Sequence, residues 1–330
     1  MTFVATNALD LVGQTPLVKI SSLSRLTGCD IYLKCEFLNP GGSVKDRAAK
    51  FMIEDALRKG LLKPGMTVIE GTAGNTGIGL ALAARVKGFK ATIVMPEGQT
   101  PEKEKMIALY GAKLIKVAAV PFANENHFYH TAKRLAAENP KDYWWADQFN
   151  NLSNFRAHFE GTGPEIWNAL SGDVSAFVSS AGTGGTIAGV SRYLKDQKSS
   201  VQTYLVDPGG SGLYSYLKTG EFKSSGSSLT EGIGIMRLVD NFKEARIDDA
   251  LSLHDQELVT VSRFVRDNDG ILLGSSSALN VAAALHVARK LGKGNIVTIA
   301  CDLGERSASK LYNDDYLRSQ NLDPSLNQIH

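Results

Sequence analysis

Residues 39–47 read Asn-Pro-Gly-Gly-Ser-Val-Lys-Asp-Arg and put one lysine, Lys45, at the start of a predicted helix. Gly41 and Gly42 allow the backbone to bend and to approach a ligand closely. Ser43 is a good N-cap, which places Lys45 in the first helical turn. The positive end of the helix dipole disfavours a protonated ammonium there, and an unprotonated lysine forms imines with aldehydes. The alternative from these residues alone is a solvated Lys-Asp-Arg trio at a helix start.

The composition sets limits on the class of protein. The 330 residues are enough for two lobes with substantial cores. Lysine and arginine number 36 and aspartate and glutamate 34, and this net charge of +2 gives no indication of nucleic-acid or membrane-surface binding. The three cysteines have no metal-ligand or redox spacing and indicate reduced thiols in a cytoplasmic protein. We expect neither a signal peptide nor a membrane-spanning segment.

Short apolar segments alternate along the chain with amphipathic ones. Predicted strands are 31–35, 66–69, 91–95, 113–117, 176–180, 203–206 and 296–300. Predicted helices are 45–59, 77–87, 102–110, 185–194, 255–267 and 277–291, and a helix over 155–170 that is broken around Gly161. This alternation predicts an α/β protein with mostly parallel sheets and helices on both faces. We expect two three-layer lobes, 1–150 and 151–330, and leave open whether about the first 40 residues pack on the second lobe.

A second motif follows the strand at 66–69 and opens the next helix. Residues 70–79 read Glu-Gly-Thr-Ala-Gly-Asn-Thr-Gly-Ile-Gly. A loop between a strand and a helix offers free backbone N–H groups and the positive end of the helix dipole, which suit a carboxylate or a phosphate. The side chains of Thr72, Asn75 and Thr76 add donors. Their density favours a ligand-binding loop over a tight turn whose glycines serve packing alone.

Two further loops also precede helices. Residues 181–186, Ala-Gly-Thr-Gly-Gly-Thr, form a second candidate anion site. They are not a dinucleotide-binding fingerprint, because Ile187 stands where that motif needs glycine, and they are not a Walker A loop. Residues 275–277 are three serines, which indicate either helix capping or a hydroxyl presented into the cleft. We expect no metal site, because His127 and His130 lack a third ligand at metal spacing.

Together, these motifs resemble the fold type II, or β-family, pyridoxal-phosphate (PLP) enzymes. The match is with the cysteine synthase (O-acetylserine sulfhydrylase) group and its relative cystathionine β-synthase, which implies the tryptophan synthase β-subunit-like fold. It extends from residues 12–18, Val-Gly-Gln-Thr-Pro-Leu-Val, to residues 301–306, Cys-Asp-Leu-Gly-Glu-Arg, with order and spacing kept throughout. The Pro-Gly-Gly-Ser-Val-Lys-Asp-Arg and Gly-Asn-Thr-Gly-Ile-Gly segments are specific to the family.

The resemblance implies how the chain holds PLP. Lys45 corresponds to the lysine that forms a Schiff base with the cofactor, and Asn75 to the residue that hydrogen-bonds its 3′ oxygen. Ser276 corresponds to the hydroxyl at the pyridine nitrogen, with the other serines of the triplet as alternatives. The implied cradle for the cofactor phosphate consists of Gly182, Thr183, Gly184, Gly185 and Thr186.

The same resemblance implies a site for the carboxylate of an amino-acid substrate. Thr72, Ala73, Asn75 and Thr76 correspond to the loop that holds this carboxylate and closes over it. Gln148 corresponds to a glutamine that contacts the same carboxylate. Once displaced from the cofactor, the amine of the motif lysine corresponds to the base that removes the Cα proton.

The implied reaction is a PLP-dependent β-replacement on an activated serine, with O-acetyl-L-serine as the expected donor. Loss of the β-substituent leaves an α-aminoacrylate, which sulfide attacks to give L-cysteine. Alternatives on the same fold are O-phosphoserine as the donor, another sulfur nucleophile, and a cysteine desulfhydrase or other β-eliminating lyase. The intact motifs argue against a regulatory protein that keeps the fold without turnover.

The chain departs from the family pattern near the implied site. Ala73 replaces a serine of the carboxylate loop, and Glu231 stands where glutamine is common. Arg237 follows the Glu231 segment, and we hypothesise that it contributes to substrate binding by pairing with an acidic donor or nucleophile. The alternative is a surface arginine paired with Asp240 or Glu244.

The resemblance also implies partners. The small-molecule partners are an amino acid and sulfide or a thiol. Family members are commonly homodimers, and some bind the C-terminus of serine acetyltransferase in the cleft. We therefore expect a cytoplasmic homodimer with serine acetyltransferase as a candidate partner, and with no nucleic acid and no membrane among its partners.

Overall fold

A computed structural model describes residues 4–72 and 74–329 and contains two β-sheets. The strands are β1 (Leu17–Lys19), β2 (Asp30–Cys35), β3 (Thr67–Gly71), β4 (Lys90–Pro96), β5 (Lys113–Val117), β6 (Tyr143–Trp145), β7 (Ala176–Ser180), β8 (Gln202–Pro208), β9 (Asp249–Leu253) and β10 (Asn295–Ala300). The larger sheet has the order β1-β2-β10-β7-β8-β9, and the smaller one has the order β5-β4-β3-β6. Every neighbouring pair is parallel except β1 and β2.

Helices connect the strands and cover the sheets. They are α1 (Ser21–Thr27), α2 (Lys45–Arg58), α3 (Asn75–Val86), α4 (Pro101–Leu109), α5 (Phe128–Glu138), α6 (Ser153–Ala157), α7 (Gly163–Ala169), α8 (Gly185–Gln197), α9 (Leu213–Thr219), α10 (Asp240–Lys243), α11 (Asp255–Asp269), α12 (Ser275–Leu291) and α13 (Asp314–Ser319). A π-helical turn, His158–Thr162, joins α6 to α7. In the described ranges, no helix is both long and apolar enough to cross a membrane.

Helices cover both faces of each sheet. Successive residues of a strand point to opposite faces and therefore pack in different apolar clusters. Ala176 and Val178 of β7 pack in an apolar cluster with residues of α11 and α12. Phe177, which lies between them, packs in a second cluster with α7 and α8. The smaller sheet has α2 and α3 on one side and α5 on the other. These layers confirm the predicted α/β class with two mostly parallel sheets.

The predicted elements agree well with the observed ones. All of the predicted strands are present, and their ends differ from the observed ends by no more than two residues. The helix predicted over 155–170 is divided as expected, and the break at Gly161 is a π-helical turn. The pattern does not predict β1, β6 or β9. Strands β1 and β6 have only three residues each, and β9 is an edge strand in which only Ala250 and Leu253 are buried.

The N-terminal segment crosses between the sheets. Strands β1 and β2 belong to the larger sheet, although they precede all of the smaller sheet in the sequence. Strand β10 pairs with β2 along its whole length, from Asn295↔Asp30 to Ala300↔Cys35. The chain then leaves β2 and enters α2, which packs on the smaller sheet. We call each sheet with its helices a lobe, and Lys45 lies where the chain passes from the larger lobe to the smaller one. The division into domains at residue 150 stays a prediction.

A buried group of charges joins α2 to the larger lobe. Arg47 of α2 donates two hydrogen bonds to Glu36 (2.6 and 2.9 Å) and two to Glu165 of α7 (2.7 and 2.6 Å). Lys34 of β2 also donates to Glu165 (2.6 Å). Glu36 is fully buried, and Arg47 is 3% exposed. Although burial opposes the shift, the contacts with Arg47 and Lys34 lower the pKa of Glu165 to about 2.

We predict that Arg47→Met destabilises the protein strongly. The substitution leaves the carboxylate of Glu36 buried without its cation, which costs about 3–5 kcal/mol for pairs of this kind. The matched control is Arg58→Met, because Arg58 lies on the same helix and is mostly exposed beside Asp55. We expect less than about 1 kcal/mol for the control. Urea unfolding followed by circular dichroism measures both, and equal small losses would contradict the importance of this group.

Candidate active site

One cavity of about 560 Å³ lies between the two sheets. Loops that follow the carboxyl ends of β3, β7 and β10 form much of its wall, which is the usual place for a ligand in parallel α/β folds. Predicted site residues in the wall are Lys45, Thr72, Asn75, Thr76, Gln148, Gly182, Thr183, Arg237 and Ser276. Gly184, Gly185 and Thr186 are adjacent to the wall rather than part of it. Ala73 lies outside the described residues.

Lys45 is the first residue of α2, in agreement with the prediction. The predicted N-cap is wrong by one residue, because the cap position is Val44. Ser43 pairs with Asp302 in an isolated β-bridge, so the regular helix begins later. The Ser43 hydroxyl still accepts a hydrogen bond from the N–H of Lys45 (3.3 Å). In the described part of the chain, no acceptor binds the side-chain nitrogen of Lys45, whose side chain lines the cavity.

The glycines of the lysine loop pack closely against side chains of the protein. A Cβ on Gly41 would lie 2.5 Å from Oδ1 of Asp46, and one on Gly42 would lie 2.6 Å from Nη2 of Arg306. Gly42 also has a φ of +79°, which favours glycine. The sequence predicted that these glycines allow close approach of a ligand. In the structure they allow close packing of Asp46 and Arg306 instead.

The loop after β3 has a defined shape. Oγ1 of Thr72 accepts a hydrogen bond from the N–H of Gly74 (3.2 Å), and Oγ1 of Thr76 donates to Oε1 of Gln148 (2.6 Å). The aliphatic part of Lys103 from α4 covers the loop, since a Cβ on Gly74 would lie 2.5 Å from its Cδ. These contacts hold the two threonines at the cavity wall.

Gln148 is buried, and its amide group has no free hydrogen. Its Nε2 donates to Oε1 of Glu70 (3.2 Å) and to the carbonyl of Gly71 (3.0 Å). An amide nitrogen has only two hydrogens. Gln148 therefore holds the loop in this arrangement, and it can donate to a substrate carboxylate only after one of these contacts is released.

Glu70 is the partner of Gln148 that motif reasoning missed. It is fully buried at the end of β3. Burial, assisted by the nearby charge of Asp147, raises the pKa of Glu70 to about 8. The carboxyl group is therefore mostly protonated at neutral pH. It accepts from both the backbone N–H (3.4 Å) and the side chain of Gln148.

The start of α8 forms a cradle that admits only glycine at several positions. A Cβ on Gly182 would overlap the carbonyl oxygen of Gly232. Gly184 has a φ of +85°, and a Cβ there would lie 2.6 Å from the Cα of Phe242. A Cβ on Gly185 would overlap the side chain of Asn154. The glycines thus allow the loop to pack tightly, and Gly182 and Thr183 line the cavity.

Polar groups complete this cradle. Nδ2 of Asn154 donates to Oγ1 of Thr183 (2.8 Å), so the hydroxyl hydrogen of Thr183 remains available to an anion. The hydroxyl of Thr186 instead contacts Nε2 of the buried His158 (3.2 Å). The first N–H groups of a helix have no intrahelical acceptor and carry partial positive charge. This set of donors fits the phosphate group of PLP.

The contacts of the three serines indicate which of them faces the cavity. Only Ser276 lies in the cavity wall. Oγ of Ser277 donates to the carbonyl of Asp302 (3.0 Å), and the N–H of Ser275 donates to Oγ of Ser307 (3.2 Å). The arrangement favours Ser276 as the serine that faces a cofactor.

Arg237 lies in the wall within a group of aromatic rings. Its Cζ lies 3.7 Å from the ring centre of Phe122, 4.7 Å from that of Phe149 and 5.2 Å from that of Tyr129. Burial lowers the pKa of Arg237. Asp240 and Glu244 pair with other cations, Lys243 and Arg192. The surface pairing considered for Arg237 is therefore absent from the described residues, and its guanidinium has no carboxylate partner there.

Glu231 joins the two lobes at the edge of the cavity. It accepts from Lys103 of α4 (2.5 Å) and from Lys310 (2.6 Å). Its side chain is 9% exposed. Burial opposes ionisation, but the charge of Lys103 outweighs it with the help of Lys310, and the pKa of Glu231 is lowered. Glutamate at position 231, where the family commonly has glutamine, thus provides an ion pair with Lys103 across the cleft.

Three comparisons with known proteins agree. The family model described as pyridoxal-phosphate dependent enzyme matches residues 8–302. Cysteine synthase 1 of Neurospora crassa is 46% identical over 325 residues, which cover 97% of this chain and 86% of the relative.

Two solved structures share the fold. O-acetylserine sulfhydrylase isoform 3 of Entamoeba histolytica has a TM-score of 0.85 at 34% identity and covers 94% of this chain and 92% of that one. The O-acetylserine dependent cystathionine β-synthase of Helicobacter pylori has a TM-score of 0.84 at 34% identity, with 94% and 99% covered.

The chain belongs to the pyridoxal-phosphate dependent enzymes. Within that family its relatives include cysteine synthases, which confirms the resemblance inferred from the motifs. PLP is therefore the cofactor, and the lysine, the cradle at α8 and the cavity volume are compatible with it.

The sequence motifs did not identify the residues that position other site residues. Asn154 and His158 orient the two threonines of the cradle from a different element, so no local pattern identifies them. Asp302 and Arg306 lie in the 301–306 segment that ends the family resemblance. The match of this segment to the family pattern was a sign in the sequence that these two residues matter, but the match gave them no role.

We predict that Glu70 makes stability fall as pH rises. Its pKa is raised from 4.5 to about 8 in the folded protein. The unfolded chain therefore loses this proton first, and the stabilisation is lost between these two values at up to about 1.4 kcal/mol per pH unit. Urea unfolding across this range compares wild type with Glu70→Gln, since other titrating groups cancel in the difference. A difference that does not change with pH would contradict the prediction.

Proposed function

We propose that the chain catalyses β-replacement on O-acetyl-L-serine with sulfide, giving L-cysteine and acetate. One observation carries the proposal: a lysine without a partner in the described chain, an anion loop and a phosphate cradle converge on one cavity. Two of the similar structures, an O-acetylserine dependent cystathionine β-synthase and an O-acetylserine sulfhydrylase, support O-acetylserine as the donor. The bond from Cβ to the acetate oxygen breaks, and a bond from Cβ to sulfur forms.

The side chain of Lys45 has two roles in this proposal. Its side-chain nitrogen would hold PLP at the aldehyde carbon when no substrate is bound. Its free amine would then accept the Cα proton of the substrate, because the side chain of Lys45 lines the cavity. Bound PLP supplies an electron sink for the carbon that loses this proton.

The remaining residues bind and orient. The substrate carboxylate would bind at the N-terminus of α3, to the hydroxyl of Thr72 and to the backbone N–H groups of Asn75 and Thr76, with Gln148 behind them. We include Ala73 through its backbone only, since its side chain lacks a donor. Closure of this loop excludes water from the reacting carbon.

Residues of the larger lobe hold the cofactor. The phosphate would bind at the N-terminus of α8, in the cradle formed by Gly182, Thr183, Gly184, Gly185 and Thr186. The hydroxyl of Ser276, which lines the cavity, would hydrogen-bond the pyridine nitrogen. A neutral serine does not stabilise a full positive charge on this nitrogen as a carboxylate would, which favours prompt loss of the β-substituent.

The other expectations stay predictions. They are a homodimer, docking of the C-terminus of serine acetyltransferase in the cleft, and a cytoplasmic location. The alternative, a cysteine desulfhydrase, starts from cysteine, releases sulfide as the leaving group and ends with water, which gives pyruvate and ammonia.

We predict that the purified protein converts O-acetyl-L-serine and sulfide into cysteine. Lys45→Ala removes the base, and its rate should fall by about 10²–10⁴-fold or more. The control is Lys59→Ala, because Lys59 is exposed beyond the far end of α2 and should not affect the rate. Product analysis with and without sulfide tests the alternative. Pyruvate and ammonia as the main products in both cases would contradict β-replacement.

We predict that Arg237 favours an anionic donor or nucleophile. A guanidinium without a carboxylate partner in the described chain can bind such a group, which is worth about 1.5–3 kcal/mol, or roughly 10–150-fold. Arg237→Met keeps contact with the rings and removes the charge. The ratio of kcat/KM for O-phosphoserine to that for O-acetylserine should therefore fall. An equal loss for every donor and nucleophile, or no loss, would show that Arg237 has no role in selectivity.

A further inference from the structure

The segment after β10 contacts three of the motifs around the cavity: the lysine loop, the loop that contains Asn75, and the serine triplet. The carbonyl of Cys301 accepts from the N–H of Val44 (2.9 Å), next to Lys45. Asp302 pairs with Ser43 in a β-bridge, and its carbonyl accepts from Ser277. The backbone of this segment therefore fixes both the lysine loop and the serine triplet.

Two side chains of the same segment bind the amide of Asn75. Nδ2 of Asn75 donates to Oδ2 of Asp302 (2.6 Å), and Nη1 of Arg306 donates to Oδ1 of Asn75 (3.1 Å). Asp302 and Arg306 are 4% and 5% exposed, so little water competes for these contacts. The amide is thus held at both ends by charged groups.

The chemistry of these partners permits only one orientation of the amide. A guanidinium only donates hydrogen bonds, and an ionised carboxylate only accepts them. A turned amide would put its N–H groups against Arg306 and its oxygen against Asp302. The nitrogen of Asn75 therefore stays on the Asp302 side, with one hydrogen bound and the second one without an acceptor in the described residues.

Arg306 is itself held by the lysine loop. Its Nη2 donates to the carbonyl of Gly41 (2.8 Å). A side chain at Gly42 would collide with the same nitrogen, since its Cβ would lie 2.6 Å away. The glycines of the lysine loop therefore make room for the residue that orients Asn75.

We propose that Asp302 and Arg306 are positioning residues that lock the Asn75 amide with its second N–H directed to the 3′ oxygen of PLP. This inference rests on the proposed contact between Asn75 and the cofactor. Loss of either partner allows the amide to turn. The amide oxygen then faces the oxygen of the cofactor, which weakens cofactor binding and changes its absorption.

The test is a double-mutant cycle on cofactor binding. Asp302→Asn and Arg306→Lys are each made in the wild-type chain and in Asn75→Ala. PLP affinity is measured by equilibrium dialysis, and the visible absorption maximum of the bound cofactor is recorded. Glu305→Gln is the matched control, because Glu305 is an exposed carboxylate of the same segment. Far-UV circular dichroism confirms folding, and either positioning variant alone suffices if the other does not fold.

We expect Asp302→Asn to weaken PLP binding about tenfold in the wild-type chain, as for loss of a charged hydrogen bond, and to shift the absorption maximum. In Asn75→Ala there is no amide to orient, so the same change should have little effect. Equal losses in both backgrounds, or no loss in the wild-type chain, would overturn the inference. Neither amino acid nor sulfide is present, so a chain without the proposed reaction would give the same result.

Discussion

The contact of Arg47 with Glu36 and Glu165 fixes the position of Lys45 relative to both lobes. Buried charges are stable only when each has its partner in good geometry, because the cost of removing them from water is large. Arg47 meets two carboxylates with paired hydrogen bonds, and these carboxylates come from the end of β2 and from α7. Helix α2 can therefore occupy only one position against the larger sheet. Lys45 precedes Arg47 by two residues and is carried to the cavity by this constraint.

The two binding functions of the cavity come from different lobes. The loop at the start of α3 belongs to the smaller lobe, and the cradle at the start of α8 belongs to the larger one. Gln148 contacts the first loop through Thr76, and its carbonyl accepts from Asn154, which also binds Thr183. A short chain of hydrogen bonds thus connects the two sites. Glu231 adds a second connection at the cavity edge through Lys103.

Local patterns predicted most of the fold and the two anion loops, and the family resemblance predicted further residues that line the cavity, such as Gln148 and Ser276. Strands, helices and the loops between them follow from periodicity and from glycine positions over a few residues. Two such local properties are the position of Lys45 at the start of a helix and the position of the anion loop before α3. The N-cap was wrong because Ser43 pairs with Asp302, a residue distant in sequence. No pattern near residue 43 contains that information.

Contacts between distant residues decide what the site residues can do. Asn75 is separated from Asp302 by 227 residues, and a sequence pattern gives no sign that a carboxylate will hold its amide. The same holds for the glycines of the lysine loop. Their sequence suggests approach to a ligand, whereas the space beside them is filled by Asp46 and Arg306. These glycines therefore serve the cofactor site indirectly. They admit a guanidinium whose hydrogen bonds determine which atom of Asn75 faces the cavity.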